Sequence, residues 1–214
     1  MAQSRLSVSG AVKNALYVIR ANLHIGTKRR ERMRNSNAAV LPDGSTGPLY
    51  TPQHIANYFL ARAKSEGIGL DPMKLIKLVY IAYGWVLALT GKRLFAEPIE
   101  AWQHGPVIPS IYHEFKHCRS SQIEESAGSW DMETGTYQIP EVPRSDVTTN
   151  LILEKVWAAY RSFSAWALRN KTHEAGTPWS QTYDGSMSRV ITDDLIAPHF
   201  RKKIREIVDA ARAA

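Results

Sequence analysis

Residues Tyr112 to Cys118 read YHEFKHC and contain HEFKH, a match to the zinc-protease pattern H-E-x-x-H. In that chemistry two histidines one helical turn apart, here His113 and His117, hold a zinc ion from one helix face. The glutamate between them, here Glu114, takes a proton from the metal-bound water. Three features of the neighbouring sequence argue against it. Lys116 sets a cation between the two ligands. A catalytic zinc needs a third protein ligand, yet the next segment, RSSQIEESAGSWDMETG, reads as a loop, so Glu124, Glu125 and Glu133 sit on no expected scaffold. The segment also has an amphipathic explanation: Ile108, Ile111, Tyr112 and Phe115 form an apolar stripe, and both histidines lie about 200° round the helix from Ile111 and Phe115. His113, Glu114, Lys116 and His117 are therefore expected on a solvated face, with no metal and no cofactor.

His54, His104 and His173 are further imidazoles that folding could bring to the pair. Cys118 has no partner at metal-ligand spacing, and neither a Gly-rich phosphate loop nor a G-x-S-x-G elbow occurs. The acidic pairs Glu124/Glu125 and Asp193/Asp194 read as a loop and a helix N-terminus rather than catalytic dyads.

The elements that must position these residues are mostly helices. Thr51 and Pro52 open a helix carrying Ile55, Phe59 and Ala63, and Gly67 and Gly69 close it. Asp71 and Pro72 open a second, which Gly91 ends. This segment, about 71–90, carries only Lys74 and Lys77 as charges and is apolar nearly all round from Leu78 to Thr90. A helix without a polar face is expected at the centre of a fold; about 13 uncharged residues are too few to cross a bilayer. Short strands are expected at Ile99–Trp102 and Thr136–Ile139, able to pair as a small hairpin against the helices. HGPVIP turns the chain between the first strand and a helix over Ser110–Cys118. Thr148 or Thr149 then caps a helix bearing Leu151, Ile152, Val156, Trp157 and Tyr160, and Ser164 starts a shorter one. A turn follows Pro178, and Thr192 or Asp193 caps a last helix, with Pro198 in its first turn or kinking it. The fold class is mainly α: a compact multi-helix domain around a buried central helix, with a small two-stranded β-hairpin.

Charge divides the chain more sharply than composition does. Residues 1–50 hold eight Lys and Arg against two acids, a net +6, whereas residues 51–214 hold nineteen against eighteen. The overall +7 thus belongs to the head, and a nucleic-acid role for the body does not follow from it. Residues 1–35 read as a basic N-terminal extension, 36–50 as a Gly/Pro/Ser-rich linker and 51–214 as the helical domain. Three readings are open for the extension: a flexible or weakly helical appendage, a basic arm for nucleic acid or an acidic protein groove, or an Arg-rich targeting segment. It lacks the unbroken apolar core of a secretory signal. The single cysteine excludes an internal disulfide framework and fits a reducing cytoplasm.

Two separated motifs add a resemblance. LDPMKLIKLVYIAYGWVLALTGKRLFAEPIEAWQHGPVIPSIYHEFK resembles the start of the Panacea domain, the SocA-like antitoxin family, and NKTHEAGTPWSQ resembles its later Thr-His…Pro-Trp signature. The resemblance spans about residues 50–208. The family's E-A-W-x-x-G-P-V corresponds to Glu100, Ala101, Trp102, Gly105, Pro106 and Val107, and its second signature to Thr172, His173, Pro178 and Trp179, with Gly176-Thr177 as an added spacing. It implies a bacterial or phage antitoxin that neutralises a cognate protein toxin by binding it, without catalytic residues.

Trp102, His104, Gly105, Pro106, Thr172, His173, Pro178 and Trp179 are the candidate partner-binding residues. Their rings flank Gly/Pro turns, which suits either anchors that pin loops to the core or a rim around a binding groove. The expected function is that of a non-enzymatic, cytoplasmic antitoxin. Its partner is a protein toxin; nucleic acid is reached only through residues 1–35, and no membrane is involved. Alternatives are a regulatory adaptor or phage counter-defence protein that binds a host protein, and the HEFKH metallopeptidase. The sequence carries no signal for oligomeric state.

Overall fold

A computed structural model describes residues 50–186 and 188–213. The expectations for residues 1–35 and for most of the 36–50 linker lie outside the described residues. Among these the chain forms seven α-helices and five short strands.

Helix α1 (Pro52–Ser65) starts at Thr51, whose backbone N–H meets His54 Nδ1 in a reciprocal cap. Helix α2 (Pro72–Thr90) starts at Asp71, whose carboxylate accepts from the Lys74 amide at 2.9 Å, and ends at left-handed Gly91. Every residue from Lys74 to Leu87 is buried, as the absence of a polar face requires. Although α2 is long and apolar enough to cross a membrane, 78% of that stretch is covered by the rest of the fold. Around it pack α1, α3 (Pro109–Phe115), α4 (Val147–Tyr160), α5 (Ala165–His173) and α7 (Asp193–Arg212). Gly84 allows the α7 contact: a Cβ there would lie 2.1 Å from the Phe200 ring, which meets Trp85 and Tyr80 edge-on. Phe59 and Trp157, both fully buried, join α1 to α4.

The strands lie where expected but pair differently. Glu100–Trp102 (β1) pairs antiparallel with Gly105–Val107 (β2) through a turn at Gln103-His104, not with the strand near residue 137. Closing a two-residue turn costs far less chain entropy than reaching residue 137, and a twisted hairpin accepts it. Pro106 is tolerated because β2 is an edge strand in the order β2-β1-β5, with β5 at Arg189–Val190. The other expected strand, Thr136–Gln138 (β4), pairs with Ser129–Asp131 (β3) inside the segment read as a loop. Among the described residues there are thus two antiparallel hairpins rather than one.

Smaller differences have local causes. Asp146, not Thr148 or Thr149, caps α4, because its carboxylate reaches the Thr149 amide at 3.0 Å. Pro198 sits inside α7 beyond its first turn, where it removes one helical hydrogen bond. Helix α3 stops at Phe115, and Lys116–Cys118 continues as a 3-10 turn.

Candidate functional site

The two motif segments, more than sixty residues apart in sequence, come together on α2. Helix α5 ends at His173; Thr177 then caps the short α6 (Pro178–Thr182), its hydroxyl accepting from the Ser180 amide and donating to the Thr172 carbonyl at 2.7 Å. Thr177, half of the added Gly176-Thr177 spacing, is therefore built into the loop it lengthens. The α5–α6 corner carries Trp179 to the β1–β2 turn, where its indole N–H donates to the Trp102 carbonyl at 2.7 Å. His173 Nδ1 faces the Arg169 carbonyl at 2.7 Å and Nε2 the Gln103 carbonyl at 3.2 Å. A neutral ring donates to one of them at a time. Burial, with Arg169 and Lys77 contributing less, holds this imidazole below its ordinary value, so the neutral form prevails near pH 7. Its ring lies 3.6 Å from that of Trp179, which stacks in turn on Tyr183 at 4.8 Å.

Beneath the turn lies Lys77, which the sequence shows only as one of two charges in an apolar helix. It is 2% exposed, and its Nζ donates to the Pro106 carbonyl at 3.0 Å. Burial first, and the Arg169 charge second, push its ammonium down to about 7. Among the described residues, no carboxylate lies within ion-pair distance of Lys77 or Arg169. Gly105, at φ 104°, passes so close that a Cβ would stand 2.8 Å from the Thr172 hydroxyl and 2.9 Å from Lys77 Nζ. Only glycine lets the backbone take this φ and approach so closely.

This packing sorts the eight candidate residues. Gly105, Pro106, Thr172, Pro178 and Trp179 are buried, so they frame the junction and offer little contact surface. His104 is exposed, while Trp102 and His173 are half-buried. Trp102 donates its indole N–H to Glu100 at 2.7 Å and meets Tyr112 edge-on at 4.9 Å. Tyr112, expected in the buried stripe, is instead 37% exposed, because its position just past Ile111 turns it toward Trp102. Ile108, Ile111 and Phe115 are buried as expected.

The HEFKH histidines face outward. His113 Nδ1 lies 3.5 Å from Lys116 Nζ, and His117 Nε2 lies 3.3 Å from Cys118 Sγ. Because α3 ends at Phe115, His117 falls in the 3-10 turn and leaves the one-turn register that a shared metal needs. Among the described residues, no group of three or more His, Cys, Asp or Glu is placed to hold a metal ion. His54 is engaged at the α1 cap and His173 at the turn, so the histidines do not converge. Asp193 accepts from the Tyr83 hydroxyl and from Arg93, which makes it a structural anchor.

A second constellation escaped the sequence. Asn57, 4% exposed on α1, donates to the carbonyls of Ala127 and Pro140, both at 2.9 Å, and accepts from the Ala127 amide at 2.8 Å. It thereby clamps both legs of the β3–β4 hairpin. An asparagine on an otherwise apolar helix face was the available signal.

Comparison with known proteins places the chain. The family described as antitoxin SocA-like, Panacea domain, matches residues 75–180, which span both motif segments. Antitoxin SocA of Caulobacter vibrioides (strain NA1000 / CB15N) is 30% identical over 152 residues, covering 69% of this chain and 80% of that protein. No solved structure matches.

Proposed function

The chain belongs to the SocA-like, Panacea-domain antitoxin family, and we propose that it neutralises a cognate protein toxin by binding it directly, with no chemistry of its own. The observation that carries this reading is the junction of Trp179 with Trp102. The polar groups of the motif residues are turned inward onto each other and onto backbone carbonyls. A catalytic centre would instead hold a nucleophile or base ready for a substrate. The junction braces an outward face made of Trp102, His104 and Tyr112. Tryptophan and tyrosine are the residue types that dominate binding energy at protein interfaces.

The lone, half-buried Cys118 accords with action in the cytoplasm. The basic extension, residues 1–35, is an accessory arm in this reading. Its deletion should weaken neutralisation only if the toxin, or the RNA or ribosome it acts on, is acidic.

Co-expression of the protein with the product of its neighbouring gene tests the proposal. Growth arrest by that product alone, relief when both are made, and co-purification of the two are the expected results. Persistent arrest with both proteins present would sink the antitoxin role. Relief without a complex would leave the adaptor reading, in which a host protein is bound instead.

A further inference from the structure

The β3–β4 hairpin is the least self-contained part of the fold. Trp130 is 65%, Met132 91%, Tyr137 50% and Ile139 48% exposed, a cluster of large apolar side chains that a monomer does not normally leave in water. Trp130 and Tyr137 stand directly opposite each other and meet edge-on at 6.1 Å. Gly128 lets the Tyr137 ring settle over the backbone, since a Cβ there would lie 2.6 Å from it. Among the described residues the two strands pair only with each other, so both outer edges are open.

An isolated two-stranded sheet is marginal in water, yet this one is fixed at its root. Asn57 holds both legs from inside the core, and the Ile123 amide donates to the Leu70 carbonyl at 2.8 Å. Near the root a groove of about 370 Å³ runs past Leu60, Ile68 and Ile123 and carries Glu124 and Glu125 against a single cation, Lys64. From Ser120 to Pro143 the chain has five carboxylates, Glu124, Glu125, Asp131, Glu133 and Glu141, and no Lys or Arg. On a body of net charge +1 this is a negative arm between Arg119 and Arg144, with an aromatic pair in the middle of its ladder.

We propose that this hairpin is a docking arm for a cationic face of the toxin. The inference rests on the antitoxin reading above and names the surface and the chemistry of its partner. Charge selects the occupant. Nucleic acid and anionic lipid are repelled by five carboxylates. A second copy meeting arm to arm across a two-fold axis would set like charge against like. What remains is a protein face rich in Lys and Arg, whose cations pair with the carboxylates and pack over the Trp130 and Tyr137 rings.

Two full-length variants test this in the co-expression and co-purification assay. Trp130→Ser with Tyr137→Ser removes the rings, and Glu124→Lys, Glu125→Lys and Glu133→Lys together reverse the charge. Asp131 is left alone because its carboxylate accepts the Glu133 and Thr134 amides of the turn. The expected result is that each variant folds and melts like the parent but weakens the complex by roughly 30-fold or more and no longer relieves arrest. Complex formation by the parent should also fall as salt rises. If the parent relieves arrest and both variants do so equally, the arm proposal is wrong and the antitoxin reading stands. If the parent fails, both fall. A parent dimer that the ring variant dissociates, or a carbodiimide cross-link from Lys13 or Lys28 to these carboxylates within one chain, would assign the arm to a second copy or to the basic head, and either overturns the proposal. Should the ring variant melt early, the charge-reversal variant alone decides.

Discussion

Lys77 Nζ donates to the Pro106 carbonyl at 3.0 Å, joining the central helix to the β1–β2 turn through an ammonium that is 2% exposed. Burial and the nearby Arg169 push its pKa down to about 7, whereas the unfolded chain keeps that proton to about 10.4. Between these values the unfolded state binds more protons, so this group makes stability rise with pH above about 7; below that its charge is buried at full cost. Lys77→Met should flatten the rise. Urea unfolding at pH 7 and pH 9 would measure it, with the parent gaining at most about 1.4 kcal/mol per pH unit over the variant. The comparison stops at pH 9 because burial holds the Tyr80 and Tyr83 hydroxyls above their ordinary value and opposes the trend beyond it. Equal slopes would mean that Lys77 is hydrated.

Gly105→Ala should damage the same junction through shape. The new methyl meets Lys77 and Thr172 at under 3 Å, on a backbone at φ 104°. A loss of about 2 kcal/mol or more is expected, or roughly 5 °C in melting temperature. A variant that melts with the parent would show the turn free to move off α2.

Asn57→Ala leaves the Ala127 amide and the Ala127 and Pro140 carbonyls without their partner. The expected cost is roughly 2–4 kcal/mol. Amide exchange at Ala127 should speed up well before exchange in α2 does. Asn57→Asp should be worse, because it keeps the acceptor, removes both donors and buries a charge. Uniform exchange across the chain would refute the clamp.

His113→Gln with His117→Gln should change stability by less than about 0.5 kcal/mol, since both rings are exposed. Relief of toxin arrest should also be unaffected, with or without a chelator. Stoichiometric zinc in the parent, lost in this variant together with function, would restore the metallopeptidase reading.

Local pattern made much of the fold legible. Asp71-Pro72 and Gly91 bound the central helix, and its missing polar face placed it at the core. Ser164 starts its helix as expected, capping it through its own hydroxyl, whereas the Thr177 cap emerged only in the structure. Strand existence was readable from residues 99–102 and 136–139; strand partners were not, because β propensity is local while pairing depends on which loop closes at least entropic cost. The motif residues were visible as types, but their roles were not. Trp179 reads as an anchor or as a rim residue, and the choice falls to the anchor once its indole N–H is seen on the Trp102 carbonyl.

From sequence alone came the helical class, the buried helix, the charge split between head and body, and the wet face of HEFKH, all of which depend on periodicity and composition along a few turns. Tertiary structure alone decided that Lys77 lies under the turn, that Asn57 grips both hairpin legs, and that Trp179 reaches the Trp102 carbonyl. Such contacts join residues tens of positions apart, and their energies arise only when water is excluded between them, which no local pattern records.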